Sequence, residues 1–190
     1  MDGSLAYRDE FQREELIGGR IVAMAPAVMN HNFISGNIYS LFSHYLKGKK
    51  CTPFNDNNLV YLTETDRFVP DMMVVCDPEK LRWDGVHGAP DLVVEVLSPS
   101  TAKNDRGRKM KVYEQCGVRE YWIVNPGEKS LEQYVLENGA FQLREVYTLF
   151  PAHVLDSMDA AERAAVKTEF SCSLFDDLRI RLEDVFDRVV

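Results

Sequence analysis

The pattern of apolar and polar positions divides the chain into helical segments and short strands. From His31 to Lys47, apolar residues recur every three or four positions, which predicts an amphipathic helix with Asn30 as a candidate N-cap. The polar segment 4–14 is also predicted to be helical. Gly18-Gly19, between two apolar stretches, predicts a hairpin turn.

Two apolar runs lack helical spacing and predict buried strands, at 69–76 and 91–97. Shorter strands are predicted at 52–54 and 59–62. The intervening segment 77–89 contains proline and glycine, so we expect an exposed loop there.

The second half of the chain predicts one helix followed by a meander. The segment Ser98–Thr101 breaks the preceding strand and can cap a helix that reaches Cys116, where Gly117 acts as a stop signal. Strands at 119–124, 131–136 and 141–147 are separated by Asn-Pro-Gly and Asn-Gly turns. The order of elements predicts an α/β or α+β fold, in which helices flank a mixed central sheet that carries an added β-meander.

Length and composition predict one globular domain over residues 1–190. The chain is 45% hydrophobic, which is ample for one core. No apolar run approaches the roughly 18 to 20 residues of a membrane span, and the start of the chain lacks the pattern of a signal peptide, so we expect a cytoplasmic protein. The four cysteines are far apart and predict buried free thiols: Cys51, Cys76, Cys116 and Cys172.

Charge is unevenly distributed along the chain. The net charge of −8 disfavours broad affinity for nucleic acids, which depends on neutralising phosphates. From Thr101 to Tyr113, however, five basic residues accompany one acidic residue, whereas nine acidic and five basic residues follow from Asp156 to Val190. The basic helix therefore indicates either a phosphate contact or a solvated helix face.

Two Pro-Asp pairs introduce the candidate chemistry. Pro70-Asp71 and Pro90-Asp91 each precede an apolar strand, and Glu95 lies within the second one. A carboxylate on a buried strand is costly without a partner or a metal. If the two strands are neighbours, Asp71 and Glu95 can converge on Mg²⁺ or Mn²⁺, with the Val96 carbonyl as a third ligand. The alternative is that Pro-Asp pairs simply open strands or turns.

Lys109 is the candidate cation of the site. It follows Asp105 by four residues and precedes Tyr113 by four, so the three share one helix face. Such a lysine could orient an attacking water or stabilise charge on a phosphoryl group. Equally, it could be an exposed lysine that pairs with Asp105. Helix position alone leaves both interpretations open.

Several motifs together resemble the Uma-two family of restriction endonucleases, within the PD-(D/E)XK nuclease superfamily. The resemblance covers roughly residues 5–150 and lies in Glu15–Pro26, His31, Val69–Asp71, Gly88–Thr101, the Asp105-Lys109-Tyr113 spacing and Gly117–Pro126. The segment 152–176 fits the family less well and is expected to be a helical insertion or a dimer element, so a homodimer is expected.

The resemblance implies a restriction-endonuclease-like core and assigns roles to named residues. Asp71 and Glu95 match the two superfamily acids, and Tyr113 matches a tyrosine of the helix motif. The superfamily lysine lies two residues after the second acid, a position that Leu97 occupies here, so the lysine role falls to Lys109.

Three further residues are secondary candidates. Glu15 could supply another carboxylate, as the N-terminal acid of the superfamily does. His31 begins the first predicted helix and Asp91 opens the second buried strand. For each of these, a structural role is an open alternative.

Two functions follow as hypotheses. The first is a Mg²⁺- or Mn²⁺-dependent endonuclease that hydrolyses phosphodiester bonds in DNA. The second is a non-catalytic nucleic-acid-binding or assembly module that retains the nuclease fold, which the acidic net charge and the displaced lysine favour.

Overall fold

The computed structural model describes residues 14–24 and 26–190. The helix predicted over residues 4–14 lies outside this part, apart from Glu14, which begins a strand. No helix in the described ranges is long and apolar enough to cross a membrane.

A six-stranded mixed sheet forms the centre of the fold, in the order β12-β11-β10-β9-β6-β3. Strands β9 and β10 are parallel, and the other neighbours are antiparallel. The predicted meander is confirmed as the hairpin-linked strands β10, β11 and β12. The six strands are β3 (Thr52–Asn55), β6 (Met72–Val75), β9 (Leu92–Val96), β10 (Glu120–Asn125), β11 (Ser130–Glu137) and β12 (Ala140–Thr148).

A second sheet is built from short strands in the order β2-β1-β5-β4-β8-β7. Its first hairpin turns at Gly18-Gly19, as predicted, and both glycines have the positive φ that the turn requires. The strands are β1 (Glu14–Ile17), β2 (Arg20–Ala23), β4 (Val60–Tyr61), β5 (Arg67–Phe68), β7 (Leu81–Arg82) and β8 (Gly85–His87).

The prediction of an exposed loop over residues 77–89 is wrong. The segment contains a short 3₁₀ turn, Pro78–Lys80, and the β7–β8 hairpin. β8 pairs in parallel with β4, a distant partner that local composition does not reveal. Gly85 permits this pairing, because a Cβ there would lie 2.3 Å from the Leu59 carbonyl oxygen.

Helix α1 (Met29–Leu46) packs on one face of the central sheet through an apolar stripe at four-residue spacing: Ile34, Ile38, Phe42 and Leu46. The prediction of Asn30 as N-cap is wrong, because the helix begins after Val28. Asn30 lies in the first turn, where its amide donates a hydrogen bond of 2.6 Å to the Val190 carbonyl.

The C-terminal segment completes the core on this face. Strands β13 (Glu169–Ser171) and β14 (Arg179–Arg181) pair with each other, and a short helical turn, Leu182–Val185, follows. Their buried side chains join the cluster under α1: Phe170, Cys172, Ile180, Leu182, Val185 and Phe186. Two short helices, Ala152–Ser157 and Ala160–Ala165, precede this segment and lie within the region 152–176 that was expected to be a helical insertion or a dimer element.

The second face of the central sheet is covered by a helical segment and by the second sheet. Three consecutive helical pieces run from Ala102 to Cys116 and end at Gly117, whose φ of 86° confirms the predicted stop. They are α2 (Ala102–Asn104), a π-helical turn (Asp105–Lys109) and α3 (Met110–Cys116). Because both faces are covered, β6 and β9 are buried throughout, which explains their uninterrupted apolar runs.

The expectation of four free thiols is wrong for two cysteines. Cys51 and Cys76 form a disulfide, whereas Cys116 and Cys172 are free. In the antiparallel register, Thr52 lies opposite Val75, so Cys51 and Cys76 are the next opposed pair. The sequence separation of 25 residues gave no sign of this adjacency.

Candidate active site

The two candidate acids lie side by side where β6 begins and β9 ends. Met72 pairs with Val94, so Asp71 and Glu95 occupy the next opposed positions of the antiparallel register. Directly opposed positions direct their side chains to the same face. Both residues are buried, with exposures of 8% and 2%.

Asp71 is held by the backbone of β9 and by helix α1. Its Oδ2 accepts a hydrogen bond of 2.6 Å from the Val96 amide, and His31 Nε2 lies 3.0 Å from the same oxygen. Val96 is therefore adjacent to the carboxylate, as its predicted ligand role requires. The described contact, however, uses its amide rather than the carbonyl.

Glu95 is held by the helical segment that covers the sheet. Its Oε1 accepts hydrogen bonds from Tyr113 Oη at 2.8 Å and from Lys109 Nζ at 3.2 Å. The spacing of four residues places Lys109 and Tyr113 on one helix face, and that face points at the end of β9.

Lys109 connects three carboxylates rather than extending into solvent. Its Nζ lies 2.9 Å from Glu15 Oε1, 3.2 Å from Glu95 Oε1 and 3.5 Å from Asp105 Oδ1. The lysine is 3% exposed, so the interpretation of an exposed surface lysine is wrong. Glu15 reaches the cluster from β1, where its Oε1 also accepts a hydrogen bond from the Val69 amide.

Burial and the charges of neighbouring carboxylates disfavour ionisation of two carboxyls of the cluster, Glu95 and Asp105. Burial raises the pKa of Glu95 well above its ordinary value; the Lys109 ammonium opposes this effect, and the neighbouring carboxylates add to it. Burial likewise raises the pKa of Asp105. For Lys109, burial alone would lower the pKa, but Glu95, Glu15 and Asp105 outweigh it and raise the pKa above its ordinary value. Lys109 is therefore charged at neutral pH.

His31 responds to the same negative field. Burial alone would lower its pKa, but the hydrogen bond to Asp71 and the charges of Asp71, Asp56 and Asp105 raise it. His31 Nδ1 and Asp105 Oδ1 are buried polar atoms without a hydrogen-bond partner among the described residues.

This donor set fits a divalent cation of the magnesium type. Four buried carboxyl groups accompany one ammonium, so a divalent cation would offset the negative charge that they carry when ionised: Glu15, Asp71, Glu95 and Asp105. The hydrogen bonds to Asp71 use Oδ2 and those to Glu95 use Oε1, so the second oxygen of each takes no part in them. The described ranges contain no three-residue His, Cys, Asp or Glu metal cluster. Mg²⁺ commonly takes only one or two carboxylates, together with water and phosphate oxygens.

Asp91 is not part of this arrangement. It precedes β9, whereas Glu95 lies near the strand's end, four residues or about 13 Å further along. Its Oδ2 accepts a hydrogen bond of 2.7 Å from the Cys76 amide, and Arg119 lies 3.6 Å from its Oδ1. Asp91 therefore ties strand ends together.

Asp105 is a fourth buried carboxylate that was not among the predicted site residues, and the helix carries less free positive charge than its sequence indicated. The four-residue spacing to Lys109 was the signal for Asp105. Arg106 pairs with Glu132, and Arg108 makes two 2.8 Å hydrogen bonds to Asp66. Most of the predicted positive patch is thus bound by carboxylates of other elements.

Comparison with known proteins relates the chain to one protein family and to two proteins of similar sequence. The family model of Uma2, described as "Putative restriction endonuclease", matches residues 4–166. Two proteins from Synechocystis sp., both named as uncharacterized, are similar in sequence. The protein slr1290 is 35% identical over 130 residues, 66% of this chain and 68% of its own length. The protein sll1609 is 27% identical over 127 residues, 65% of this chain and 72% of its own length.

A crystal structure of "a putative nuclease belonging to DUF820" from Anabaena variabilis has the same fold. It superposes with a TM-score of 0.70, covering 94% of this chain and 92% of that one, at 18% sequence identity. The predicted mixed α+β architecture therefore matches a solved structure.

Proposed function

Because the chain belongs to the Uma2 family, described as "Putative restriction endonuclease", we propose that it is a divalent-metal-dependent endonuclease that hydrolyses phosphodiester bonds in DNA. The observation that carries the proposal is the convergence of Asp71, Glu95 and Lys109 at one end of the β6–β9 pair. Paired carboxylates and a cation are the groups that metal-assisted phosphodiester hydrolysis needs.

The residues that would hold Mg²⁺ or Mn²⁺ are Asp71 and Glu95, with the Val96 carbonyl. When bound, such an ion neutralises phosphate charge and makes a water molecule more acidic. The atoms suited to this role are Asp71 Oδ1 and Glu95 Oε2, because the described hydrogen bonds use Asp71 Oδ2 and Glu95 Oε1.

The surrounding side chains fix the geometry of these acids. Tyr113 and Lys109 both donate to Glu95 Oε1, which holds the carboxylate in one orientation. The Val96 amide and His31 do the same for Asp71. The Lys109 ammonium stands beside Glu95, where it stabilises negative charge that develops on a phosphoryl group held against that carboxylate.

The test is cleavage of supercoiled plasmid, single-stranded DNA and RNA by the purified protein with Mg²⁺ or Mn²⁺. We expect plasmid nicking that Asp71→Asn and Glu95→Gln each reduce by about a hundredfold or more. Asp91→Asn is the matched control, because this carboxylate lies at the other end of β9, and it should cleave like the wild type. Equal thermal unfolding of the variants would separate chemistry from folding. Absence of cleavage by the wild type, or full activity of Asp71→Asn, would refute the proposal.

A second candidate is a non-catalytic module that retains the nuclease fold. Leu97 at the position of the motif lysine and the burial of Lys109 among three carboxylates favour it. This alternative predicts no affinity for Mn²⁺. Calorimetry that detects Mn²⁺ binding by the wild type, but none by Glu95→Gln, would exclude it.

A further inference from the structure

A cavity of about 260 Å³ lies between the β3–β4 connection and the β7–β8 hairpin. One wall contains Asn57 and Asn58, and the other contains Arg82 and Trp83; Phe54 and Leu81 are among its apolar lining. Pockets for drug-sized ligands measure about 300 to 1,000 Å³. Its volume therefore suits a smaller group, and its mixed lining suits one with both an apolar surface and hydrogen-bonding edges.

Trp83 presents the largest exposed aromatic surface at this cavity. It lies at the tip of the β7–β8 hairpin and is 98% exposed, whereas the other tryptophan of the chain, Trp122, is fully buried. An exposed indole gains no burial from folding, but it provides a surface on which a nucleobase can stack.

The two walls of the cavity are fixed to each other. The Val86 amide donates a hydrogen bond of 2.8 Å to the Leu59 carbonyl, and Gly85 allows the close approach of the two backbones. Val60 also pairs with Val86 in the parallel β4–β8 register. The hairpin tip is thus held beside the β3–β4 connection before any ligand arrives.

The β3–β4 connection links the cavity to the candidate active site. Asn55 pairs with Met72 in the β3–β6 register, so the β3–β4 connection starts beside Asp71. The asparagines of the cavity wall follow directly, at positions 57 and 58. A nucleotide in the cavity would therefore lie along the connection that starts beside Asp71.

We infer that this cavity binds one nucleobase of a DNA strand next to the scissile phosphate, with Trp83 as the stacking surface. The inference rests on the proposed function and specifies how the substrate is held. The amides of Asn57 and Asn58 and the Arg82 guanidinium supply donors and acceptors for the edge of the base. Stacking tolerates any base, because every base has a flat aromatic face.

The test uses two DNA octamers, one of adenine nucleotides and one of abasic nucleotides with the same phosphates. Binding is measured in EDTA, which prevents metal-dependent cleavage, by anisotropy of labelled octamers and by tryptophan emission. We expect the adenine octamer to quench Trp83 and to bind more tightly than the abasic one. Trp83→Ala should weaken binding of the adenine octamer by roughly fivefold to a hundredfold and leave the abasic octamer unaffected.

Two further variants sharpen the result. Trp83→Phe should restore most of the binding, because it keeps an aromatic face. Leu143→Ala is the matched control, since Leu143 is another exposed apolar residue, outside the cavity lining, and it should bind both octamers like the wild type. Unchanged adenine-octamer binding by Trp83→Ala, or equal wild-type binding of the two octamers, would overturn the inference.

Parallel cleavage assays distinguish this inference from the proposed function. Wild-type cleavage together with normal binding by Trp83→Ala overturns the base site alone. Base-dependent quenching of Trp83 without any metal-dependent cleavage supports the base site and refutes the nuclease activity.

Discussion

At the scale of single residues, Lys109 supplies the positive charge that offsets three buried carboxylates of the site. Its ammonium is within 3.5 Å of Glu15, Glu95 and Asp105, all of which are buried. A buried ion pair contributes little net stability compared with apolar residues, but removing one partner is costly because the other charge remains buried. Lys109 therefore makes the carboxylate cluster compatible with the folded state.

Replacing this lysine should destabilise the protein in a pH-dependent way. We expect Lys109→Met to lower the free energy of unfolding by about 3 to 5 kcal/mol near neutral pH. Because the folded-state pKa values of Glu95 and Asp105 are raised, protonation favours the folded state. Their favourable contribution is present below the ordinary carboxyl pKa and is lost as pH rises through the raised values.

The deficit of Lys109→Met should therefore be smaller at about pH 5 than at about pH 8, measured by urea unfolding. Lys111→Met is the matched control, because Lys111 is exposed on the same helix, and it should change stability by no more than about 0.5 kcal/mol. A Lys109→Met deficit that grows as pH falls would contradict this electrostatic account.

At the scale of elements, local sequence patterns predicted the turns, helix ends and buried strands that depend on neighbouring residues. The Gly18-Gly19 hairpin, the helix that ends at Gly117 and the two buried apolar strands all appear where the sequence indicated them. The sequence also indicated that Asp71 and Glu95 would meet if their strands were neighbours, since a buried carboxylate needs partners.

The remaining features depend on which strands become neighbours, and no local pattern encodes that choice. The strands of segment 77–89 form because β8 finds β4 as a partner. The burial of Lys109 could not be predicted from the helix alone, because it depends on β1, which brings Glu15 to the lysine. The Cys51–Cys76 pairing required the β3–β6 register, which places two distant cysteines opposite each other.

This disulfide predicts an effect of reductant on the edge of the central sheet. It joins Cys51, directly before the edge strand β3, to Cys76, directly after β6. Asp71 directly precedes β6 at the strand's other end. Closing a loop of this length should stabilise the fold by about 3.5 kcal/mol, so dithiothreitol should lower the unfolding midpoint in urea. The double variant Cys51→Ala/Cys76→Ala should be less stable by a similar amount and insensitive to reductant.

Cys116→Ala provides the control for thiol replacement itself, because Cys116 is free and only partly buried. It should keep the full response to dithiothreitol. A wild-type protein whose stability is the same with and without reductant would rule out a stabilising bridge.

At the scale of the whole molecule, the charge distribution limits the phosphate contacts available to the proposed DNA substrate. The net charge is −8, and the C-terminal residues 156–190 contribute a surplus of acidic groups. On the basic helix, Arg106 and Arg108 pair with Glu132 and Asp66, and Lys109 is buried. Lys103 and Lys111 are exposed and make no ion pair in the described part of the chain.

If the chain binds DNA as proposed, its affinity should therefore depend only weakly on salt. Each neutralised phosphate contributes a slope of about −0.9 to log K against log salt, so two or three phosphate contacts predict a slope of about −2 to −3. Anisotropy of a labelled duplex in EDTA, between about 50 and 300 mM KCl, measures this slope. Lys103→Ala and Lys111→Ala should each make it shallower by about 1, whereas Lys50→Ala, an exposed lysine between α1 and β3, should not. A slope of about −6 or steeper would mean that more basic side chains contact phosphates than the described ion pairs leave available. The proposal that Lys103 and Lys111 make the main phosphate contacts would then fail.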